Sequence, residues 1–334
     1  MSNRPPTRVA VIGAGSFGKN HVRVVSESSR AELKFVVDAN QARAQAHAAA
    51  HNATAVADYR EIIGHVDAAI LAVPTVAHAE IGCALLEAGI DVLIEKPIAS
   101  TLDEADRLVS AAAQHNRMLQ VGHLERFNPA VIELEKRATL PLFFEIHRMS
   151  VFTLRSLDVD VVLDLMIHDL DIVLKMANSP VRELRAVGLP VMTGKVDIAS
   201  VRIEFESGCI ANFTASRIST ERVRKLRFFQ PAQYVSLDYS RRDVFSLTVK
   251  PTASGVPEIA PYKPPVTTEE PLRAELSSFL QAVRQRGTPE VTLADGRAAL
   301  ALAIEIQQQM AEHQKRAHLD EVAESMRAPA VKNR

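Results

Sequence analysis

The chain contains 334 residues, a length that suggests about two domains. With 47% hydrophobic and 24% charged residues it has a globular composition, which excludes a wholly disordered chain, a collagen and a small disulfide-stapled scaffold. Its 39 Lys and Arg against 40 Asp and Glu give a formal net charge of −1, without the basic excess typical of nucleic-acid-binding proteins.

The sequence also indicates the cellular compartment in which the protein is expected. The N-terminus lacks the apolar segment of a secretory signal, and no apolar run approaches about 18 residues, so we expect a cytoplasmic protein with no membrane span. The two cysteines, Cys83 and Cys209, match no zinc spacing and favour a reducing compartment, although they could form one disulfide.

Residues 1–123 alternate short apolar runs with helical segments, which predicts βαβ units and a parallel sheet. The predicted strands are Arg8–Ile12, Leu33–Val37, Ala68–Val73, Asp91–Ile94 and Met118–Val121. The predicted helices include Ala42–Ala50, His78–Ala88 and Leu102–His115. Gly89 is expected to end the second of these helices, and Thr101 with Glu104 to open the third as a capping box.

From residue 124 onward the pattern becomes one of strands with few helices, which predicts an α+β domain with an antiparallel or mixed sheet. The predicted strands are Phe143–Phe152, Val181–Val191, Ile198–Phe205, Cys209–Ile218, Leu226–Phe229, Tyr234–Tyr239 and Val244–Val249. Ser207-Gly208 predicts a hairpin turn. The predicted helices are Val161–Met176, Leu272–Gln285 and Asp295–His313, and Pro251–Pro271 is interpreted as an irregular connection.

These patterns divide the chain into three segments. We predict a dinucleotide-binding domain at 1–123, a substrate and oligomerisation domain at 124–315, and a charged tail at 316–334. We expect that the last helices of the second segment could pack back on the first domain.

The segment Gly13-Ala14-Gly15-Ser16-Phe17-Gly18 is a G-x-G-x-x-G that follows a predicted strand and opens a predicted helix. In this context the glycines permit a tight turn, a close approach of the backbone to a pyrophosphate, and close packing of helix on strand. Asp38, twenty positions after Gly18, ends the second predicted strand and can accept hydrogen bonds from an adenosine ribose. Its carboxylate would repel a 2′-phosphate, which favours NAD over NADP, although nearby Arg43 weakens that preference.

Two further loops follow predicted strands at the same carboxyl edge, where ligands bind in a doubly wound sheet. One contains Pro74, Thr75 and His78, and the other is Glu95-Lys96-Pro97. His78 could equally be a helix-surface residue. Glu95 and Lys96 could equally form a surface ion pair, but opposite charges at the end of an apolar strand and at this edge favour a functional role.

In the predicted helix Val161–Met176, Asp164 and His168 are four residues apart and share a face. A carboxylate beside an imidazole fixes its tautomer and raises its basicity, as general-base catalysis requires. The alternative is a buried histidine that is satisfied by its helix neighbour. One histidine with several carboxylates could also suit a metal, but no ligand spacing supports this, and we predict no metal site.

Two polar segments remain. Glu125, Arg126 and Asn128 lie at the predicted domain junction and are candidates for binding a hydroxylated or anionic substrate, while Asn128-Pro129 is also a helix-opening pair. The basic cluster Arg222, Arg224, Lys225 and Arg227 is interpreted as a solvated strand edge, with a diphosphate-binding role as the alternative.

The order of these motifs resembles the glucose–fructose oxidoreductase / inositol dehydrogenase / MocA (Gfo/Idh/MocA) oxidoreductase family. The matching positions are Gly13–Gly18, Ala72–His78, Glu95-Lys96-Pro97, Arg126-Phe127-Asn128-Pro129 and the Asp164–His168 pair. The resemblance implies a Rossmann domain, a second domain with a large open sheet, and homo-oligomers (dimers or tetramers) formed through that sheet. It also implies NAD(P)-dependent oxidation of a sugar or polyol hydroxyl, with Lys96 and His168 as the catalytic pair and Asp164 supporting His168.

A narrower resemblance concerns residues 122–129 and 161–171. They are similar to the bacterial branch that oxidises C3 of UDP-N-acetylglucosamine, before transamination to a 3-amino sugar for lipid A. The alternatives are a dehydrogenase of a free polyol or sugar such as myo-inositol or glucose, an imine or enone reductase, and a non-catalytic NAD-binding regulator. Because unperturbed pKa values are about 6.5 for His and about 10.4 for Lys, His168 is the expected base, and Lys96 would stabilise the developing oxyanion.

Overall fold

The computed structural model describes residues 5–153, 159–252 and 255–317. They divide into two compact units: residues up to 127 together with 269–300, and residues 128–268 together with those from 301 onward. The predicted charged tail, 316–334, lies outside the described residues from 318 onward. No described helix is long and apolar enough to cross a membrane.

The strands and helices of the described chain are numbered in chain order. The strands are β1 (Thr7–Ile12), β2 (Ala31–Val37), β3 (Thr54–Val56), β4 (Ala68–Leu71), β5 (Asp91–Glu95), β6 (Leu119–Gly122), β7 (Phe143–Met149), β8 (Val181–Leu189), β9 (Ile198–Phe205), β10 (Ile210–Ser216), β11 (Val223–Gln230), β12 (Gln233–Asp238), β13 (Asp243–Lys250) and β14 (Glu258–Tyr262). The helices are α1 (Gly18–Ser26), α2 (Gln41–Ala49), α3 (His78–Glu87), α4 (Leu102–Gln114), α5 (Pro129–Glu135), α6 (Ile167–Ala177), α7 (Pro271–Gln285) and α8 (Leu293–Arg316).

The first unit contains a parallel six-stranded sheet with the order β3-β2-β1-β4-β5-β6. This is the doubly wound Rossmann order, in which ligands bind where β1 and β4 diverge at the carboxyl edge. The central strands are mostly apolar because both faces are covered; Val9, Ala10 and Val11 are completely buried. Helix α7 covers one face beside α1, contributing Leu276 and Phe279 to the core.

The predicted helix-end signal at Gly89 is confirmed, and the capping box at Thr101 is confirmed in part. Gly89 has a φ of +81° just after α3, a left-handed conformation that favours glycine. The Thr101 hydroxyl accepts a hydrogen bond from the Glu104 backbone N–H, but the Glu104 carboxylate accepts from Ser100 rather than from Thr101. Asn128 caps α5 by accepting from the Ala130 N–H, and Pro129 occupies the first turn.

The second unit contains an eight-stranded sheet with the order β14-β13-β12-β11-β7-β10-β9-β8. All neighbouring pairs are antiparallel except β7 and β10, as expected for a mostly antiparallel sheet. One face holds the core, which includes Phe144, Phe205, Phe213 and Phe228. The predicted hairpin turn is present at Gly208, with a φ of +82° between β9 and β10.

Two expectations for this unit are wrong. The segment Pro251–Pro271 contains β14, which pairs with β13, so it is not wholly irregular. The basic cluster does not lie on a sheet edge, because β11 pairs with both β7 and β12. The predicted helix Val161–Met176 is confirmed as helical, and it begins with a π-helical turn at Val162–Met166 before α6 starts.

Candidate functional site

The turn between β1 and α1 has the geometry of a dinucleotide cradle. Gly13 has a φ of +89°, and a Cβ there would lie 2.4 Å from the Ala72 carbonyl oxygen. A Cβ at Gly18 would lie 1.8 Å from the Gly13 carbonyl oxygen, so helix and strand pack as closely as the backbone allows. A Cβ at Gly15 would meet nothing within 4 Å, which leaves its backbone accessible to a pyrophosphate. The described residues therefore fit a dinucleotide.

Asp38 follows β2 and is buried beside this turn. Its carboxylate accepts hydrogen bonds from the backbone N–H groups of Ala14, at 2.9 Å, and Asn40, at 2.8 Å. The Arg43 guanidinium lies 3.3 Å from the same carboxylate. Asp38 thus fixes the glycine turn in addition to being placed for a ribose. Of the other residues of the turn, Ser16 and Phe17 lie at the entrance to α1, and the Phe17 ring contacts the His21 ring edge-on.

The loops after β4 and β5 are tied together by His78. Its Nε2 lies 3.0 Å from the Val73 carbonyl oxygen and its Nδ1 lies 2.9 Å from the Pro97 carbonyl oxygen. The ring is buried, and burial lowers the pKa of His78 even though its hydrogen bonds to these carbonyls oppose the shift. The surface interpretation is therefore wrong: His78 joins the Pro74-Thr75 loop to the loop that carries Lys96.

Glu95 ends β5, Lys96 follows it, and the Lys96–Pro97 peptide bond is cis. The Glu95 carboxylate points inward, and its Oε1 lies 2.7 Å from Nε2 of buried His21 on α1. Every candidate cofactor-binding residue of this unit thus lies at the turn, at Asp38 or at the two linked loops.

A second carboxyl group, Glu275 of α7, lies near this pair. It is fully buried, and one oxygen from each glutamate and one nitrogen of His21 all lie within 4.8 Å of one another. Neither Glu275 oxygen has a hydrogen-bond partner among the described residues. Burial, together with the negative charge of Glu95, raises the pKa of Glu275 well above its usual value.

In the second unit, Asp164 lies within the π turn and His168 in the first turn of α6. The Ile167 N–H bonds to the Val162 carbonyl, five residues back, so the two side chains do not have the regular α-helical spacing that the sequence predicts. Single π turns inside helices are frequent at functional sites. Asp160 fixes this turn, since its Oδ1 accepts from the Val162 and Leu163 N–H groups.

The residue after His168 secures the helix to the sheet. Arg148 of β7 forms a two-point contact with Asp169, with nitrogen–oxygen distances of 2.5 and 2.9 Å. Both side chains are almost completely buried, and the Arg148 guanidinium also stacks over the Tyr239 ring. Two parallel bonds between planar groups fix orientation as well as distance, so this pair sets the rotation of α6 beneath His168.

The predicted substrate segment is mostly buried. Arg126 is 4% exposed and lies 3.8 Å from Asp295, a residue of the same unit. Asn128 is also buried and uses its side-chain oxygen as the α5 cap. Glu125 retains partial exposure.

Sequence reasoning missed four polar residues that shape these sites. His21 and Glu275 occupy core positions of amphipathic helices, and Arg148 occupies a core-facing position of an alternating strand. A charge at such a position requires a buried partner. A polar residue at an apolar position of the hydrophobic periodicity was therefore a signal that the sequence contained. Asp160, two residues before the π turn, carried no comparable signal.

Comparison with known proteins agrees with this geometry. Residues 7–123 match the model of an oxidoreductase family with an NAD-binding Rossmann fold, and residues 140–229 match a GFO/IDH/MocA C-terminal domain. The UDP-N-acetylglucosamine 3-dehydrogenase of Acidithiobacillus ferrooxidans is 32% identical over 301 residues, covering 90% of this chain and 96% of the relative. Its solved structure superposes with a TM-score of 0.85 at 30% identity, over 91% of this chain and 97% of that one.

A shorter match is found to the inositol 2-dehydrogenase/D-chiro-inositol 3-dehydrogenase of Shouchella clausii, 35% identical over 193 residues and covering 54% and 56% of the two chains. The fold, the cradle and these relatives define an NAD(P)-dependent dehydrogenase that acts on CH–OH groups. The chain belongs to the Gfo/Idh/MocA oxidoreductase family.

Proposed function

We propose that this protein is an NAD-dependent dehydrogenase that oxidises C3 of UDP-N-acetylglucosamine to the 3-keto sugar. The observation that carries the proposal is the near full-length similarity to the A. ferrooxidans enzyme, over 90% of this chain. Such a product suits a following transamination to a 3-amino sugar for lipid A, and we place the reaction in the cytoplasm.

The proposed chemistry assigns one task to each residue. His168 removes the hydroxyl proton as the C3–H bond breaks, Asp164 orients its imidazole, and Lys96 stabilises the oxyanion that becomes the carbonyl. The bound nicotinamide supplies the acceptor for the hydride. Glu125, Arg126 and Asn128 are proposed to orient the sugar.

Substrate assays test the proposal. We expect NADH formation with UDP-N-acetylglucosamine and much slower turnover with myo-inositol or glucose. A free polyol is the second candidate, supported by the S. clausii match over 54% of the chain. Faster turnover of myo-inositol would replace the first candidate with the second, and NADH binding without turnover on any sugar, imine or enone would favour a non-catalytic regulator.

Two variants test the catalytic pair. Lys96→Ala and His168→Ala should each lower kcat by about 100-fold or more, in line with the loss of a general acid–base or oxyanion-stabilising group. NADH binding, followed by fluorescence, should survive in both. His115→Ala, at an exposed position, is the control. Wild-type-like turnover in either variant would remove that residue from the mechanism.

We also propose that the protein assembles as a homodimer or homotetramer through the open face of the second-unit sheet. Apolar side chains remain exposed on that face, and an uncovered apolar sheet face favours self-association.

A further inference from the structure

The buried trio of His21, Glu95 and Glu275 is not used by the proposed chemistry. Its members come from three elements of the first unit: α1, which opens at the glycine turn, β5, which ends next to Lys96, and α7. A Cβ at Gly122 would lie 3.2 Å from Glu95 Oε1, so the neighbouring strand β6 offers no side chain at this point. The trio therefore connects the cofactor helix to the lysine-bearing strand end.

Two carboxylates at this separation cannot both remain charged in a buried site. Like charges within 4.8 Å repel strongly where water is excluded, and one of the two acids then retains a proton. Glu95 has the His21 imidazole at 2.7 Å and 13% exposure of its side chain, whereas Glu275 has no described hydrogen-bond partner and no exposure. Glu275 is therefore the acid that holds the proton.

The surrounding charges do not alter this assignment. Besides His21 on α1 and Glu95 on β5, the turn at residues 124–127 packs against α7 and carries Glu125 and Arg126. Arg126 is directed to Asp295, and burial and Glu95 are the causes that raise the pKa of Glu275.

We propose that Glu275 is a positioning residue of the cofactor site: as a neutral carboxylic acid it lets Glu95 stay paired with His21, which fixes α1 to the strand end that carries Lys96. Ionised Glu275 would repel Glu95 and compete with it for His21. This inference depends on the proposed function in one respect, the catalytic role of Lys96.

The same three atoms would also suit a divalent cation, which requires both carboxylates to be ionised. A trio with a neutral Glu275 should tolerate an uncharged residue at position 275, whereas a cation-binding trio should be destabilised by it. Glu275→Gln preserves shape and polarity without charge, and Glu275→Leu, of similar volume, removes the polar group.

The first measurement is the thermal midpoint of the full-length protein against pH. The raised pKa of Glu275 means that its contribution to stability is complete below its unfolded-state pKa and is lost as pH rises toward its folded-state pKa. Glu275→Gln lacks this titration, so its midpoint should lie closest to that of the wild type near pH 4, below the unfolded-state pKa of a glutamate, and exceed it increasingly as the pH rises. A gap that does not change with pH, or a strongly destabilised Gln variant at pH 6, overturns the proposal.

The second measurement is NADH affinity, which needs no sugar and so separates this inference from the choice of substrate. Near pH 7, Glu275→Gln and Glu275→Leu should both bind NADH within about threefold of the wild type, because neither places a charge beside Glu95, and the wild type should lose NADH affinity relative to both variants as the pH rises. NADH binding about tenfold weaker in both variants, a wild-type affinity that falls no faster with pH than theirs, or stoichiometric metal in the purified wild type contradicts the positioning role.

Discussion

At the residue scale, the three glycines of the cradle are required for different reasons. The Cβ that any other residue would add at Gly18 meets the Gly13 carbonyl, whereas at Gly15 it meets open space. The sequence predicted this division because the G-x-G-x-x-G spacing follows a strand and opens a helix.

Because of this difference, substitution of Gly18 should affect the stability of the fold, and substitution of Gly15 should affect NADH binding. Gly18→Ala should lower the free energy of unfolding by about 1–3 kcal/mol, because the backbone must move to relieve the overlap. Gly15→Ala should leave the thermal midpoint nearly unchanged but weaken NADH binding, because its methyl group occupies the space beside the expected pyrophosphate. Thermal unfolding and fluorescence titration measure the two effects. An unchanged NADH affinity in Gly15→Ala would contradict the cradle.

Asp38 has a role that the sequence did not reveal. Its position after β2 predicted a ribose acceptor, but its hydrogen bonds to Ala14 and Asn40 also hold the glycine turn. Arg43, beside it, is the cation that could bind a 2′-phosphate.

The cofactor preference follows from this pair. Asp38→Ala should weaken NADH binding and shift the NADPH:NADH affinity ratio toward NADPH by about tenfold, because the repelling charge is removed while Arg43 remains. Adding Arg43→Ala should reverse most of the gain for NADPH. Arg60→Ala, an exposed arginine of the same unit, is the control. A ratio that stays constant in Asp38→Ala would show that this carboxylate does not select the cofactor.

At the element scale, apolar periodicity predicted most strands and helices because each buries one face or both. It failed where local chemistry opposes the periodicity. Strand β3 has only three residues, and β14 contains Pro261 and is exposed along most of its length. The π turn leaves no trace in hydrophobicity, since Val162 and Met166 are buried in either helix type.

The loop between β8 and β9 is held by one acid, completely buried Asp197. It accepts hydrogen bonds from the N–H groups of Val191, Met192 and Thr193 and from the Thr193 hydroxyl. Burial acts to raise the pKa of Asp197, but these hydrogen bonds outweigh burial and lower it below the usual value.

The stability of this loop should therefore depend on acid. A depressed pKa means that the contribution of Asp197 is present above its unfolded-state pKa and is lost as pH falls through its folded-state pKa. Asp197→Asn should cost about 2–3 kcal/mol at pH 7, because the charged acceptor is lost. The difference between wild type and variant should shrink as pH falls below about 4. Denaturant unfolding between pH 3 and 7 checks this, and a constant difference would contradict it.

At the scale of the whole molecule, the second-unit sheet has one core face and one face with exposed aromatic side chains. Phe229 is 39% exposed and contacts the rings of Phe143 and Tyr234 across neighbouring strands. Phe245 of β13 is 37% exposed in register with the same face. Arg227 and Glu145 form an ion pair beside this cluster.

A charge in this cluster should disrupt assembly. Phe229→Asp should shift the protein toward monomer in light scattering after size exclusion, because an unpaired carboxylate is costly to bury in an interface. Ile63→Asp, a partly exposed apolar position of the first unit, should leave the mass unchanged. If both variants keep the wild-type mass, the oligomer does not form through this face.

The first unit is not contiguous in the chain, since residues 269–300 supply α7 and the start of α8. Its Rossmann sheet therefore cannot be fully covered during synthesis until residues 269–300 have left the ribosome. A nascent chain stalled near residue 130 would expose the apolar surface that Leu276 and Phe279 later cover. Chaperones should bind such truncated products, and fusing 269–300 to 1–127 by a flexible linker should restore their solubility.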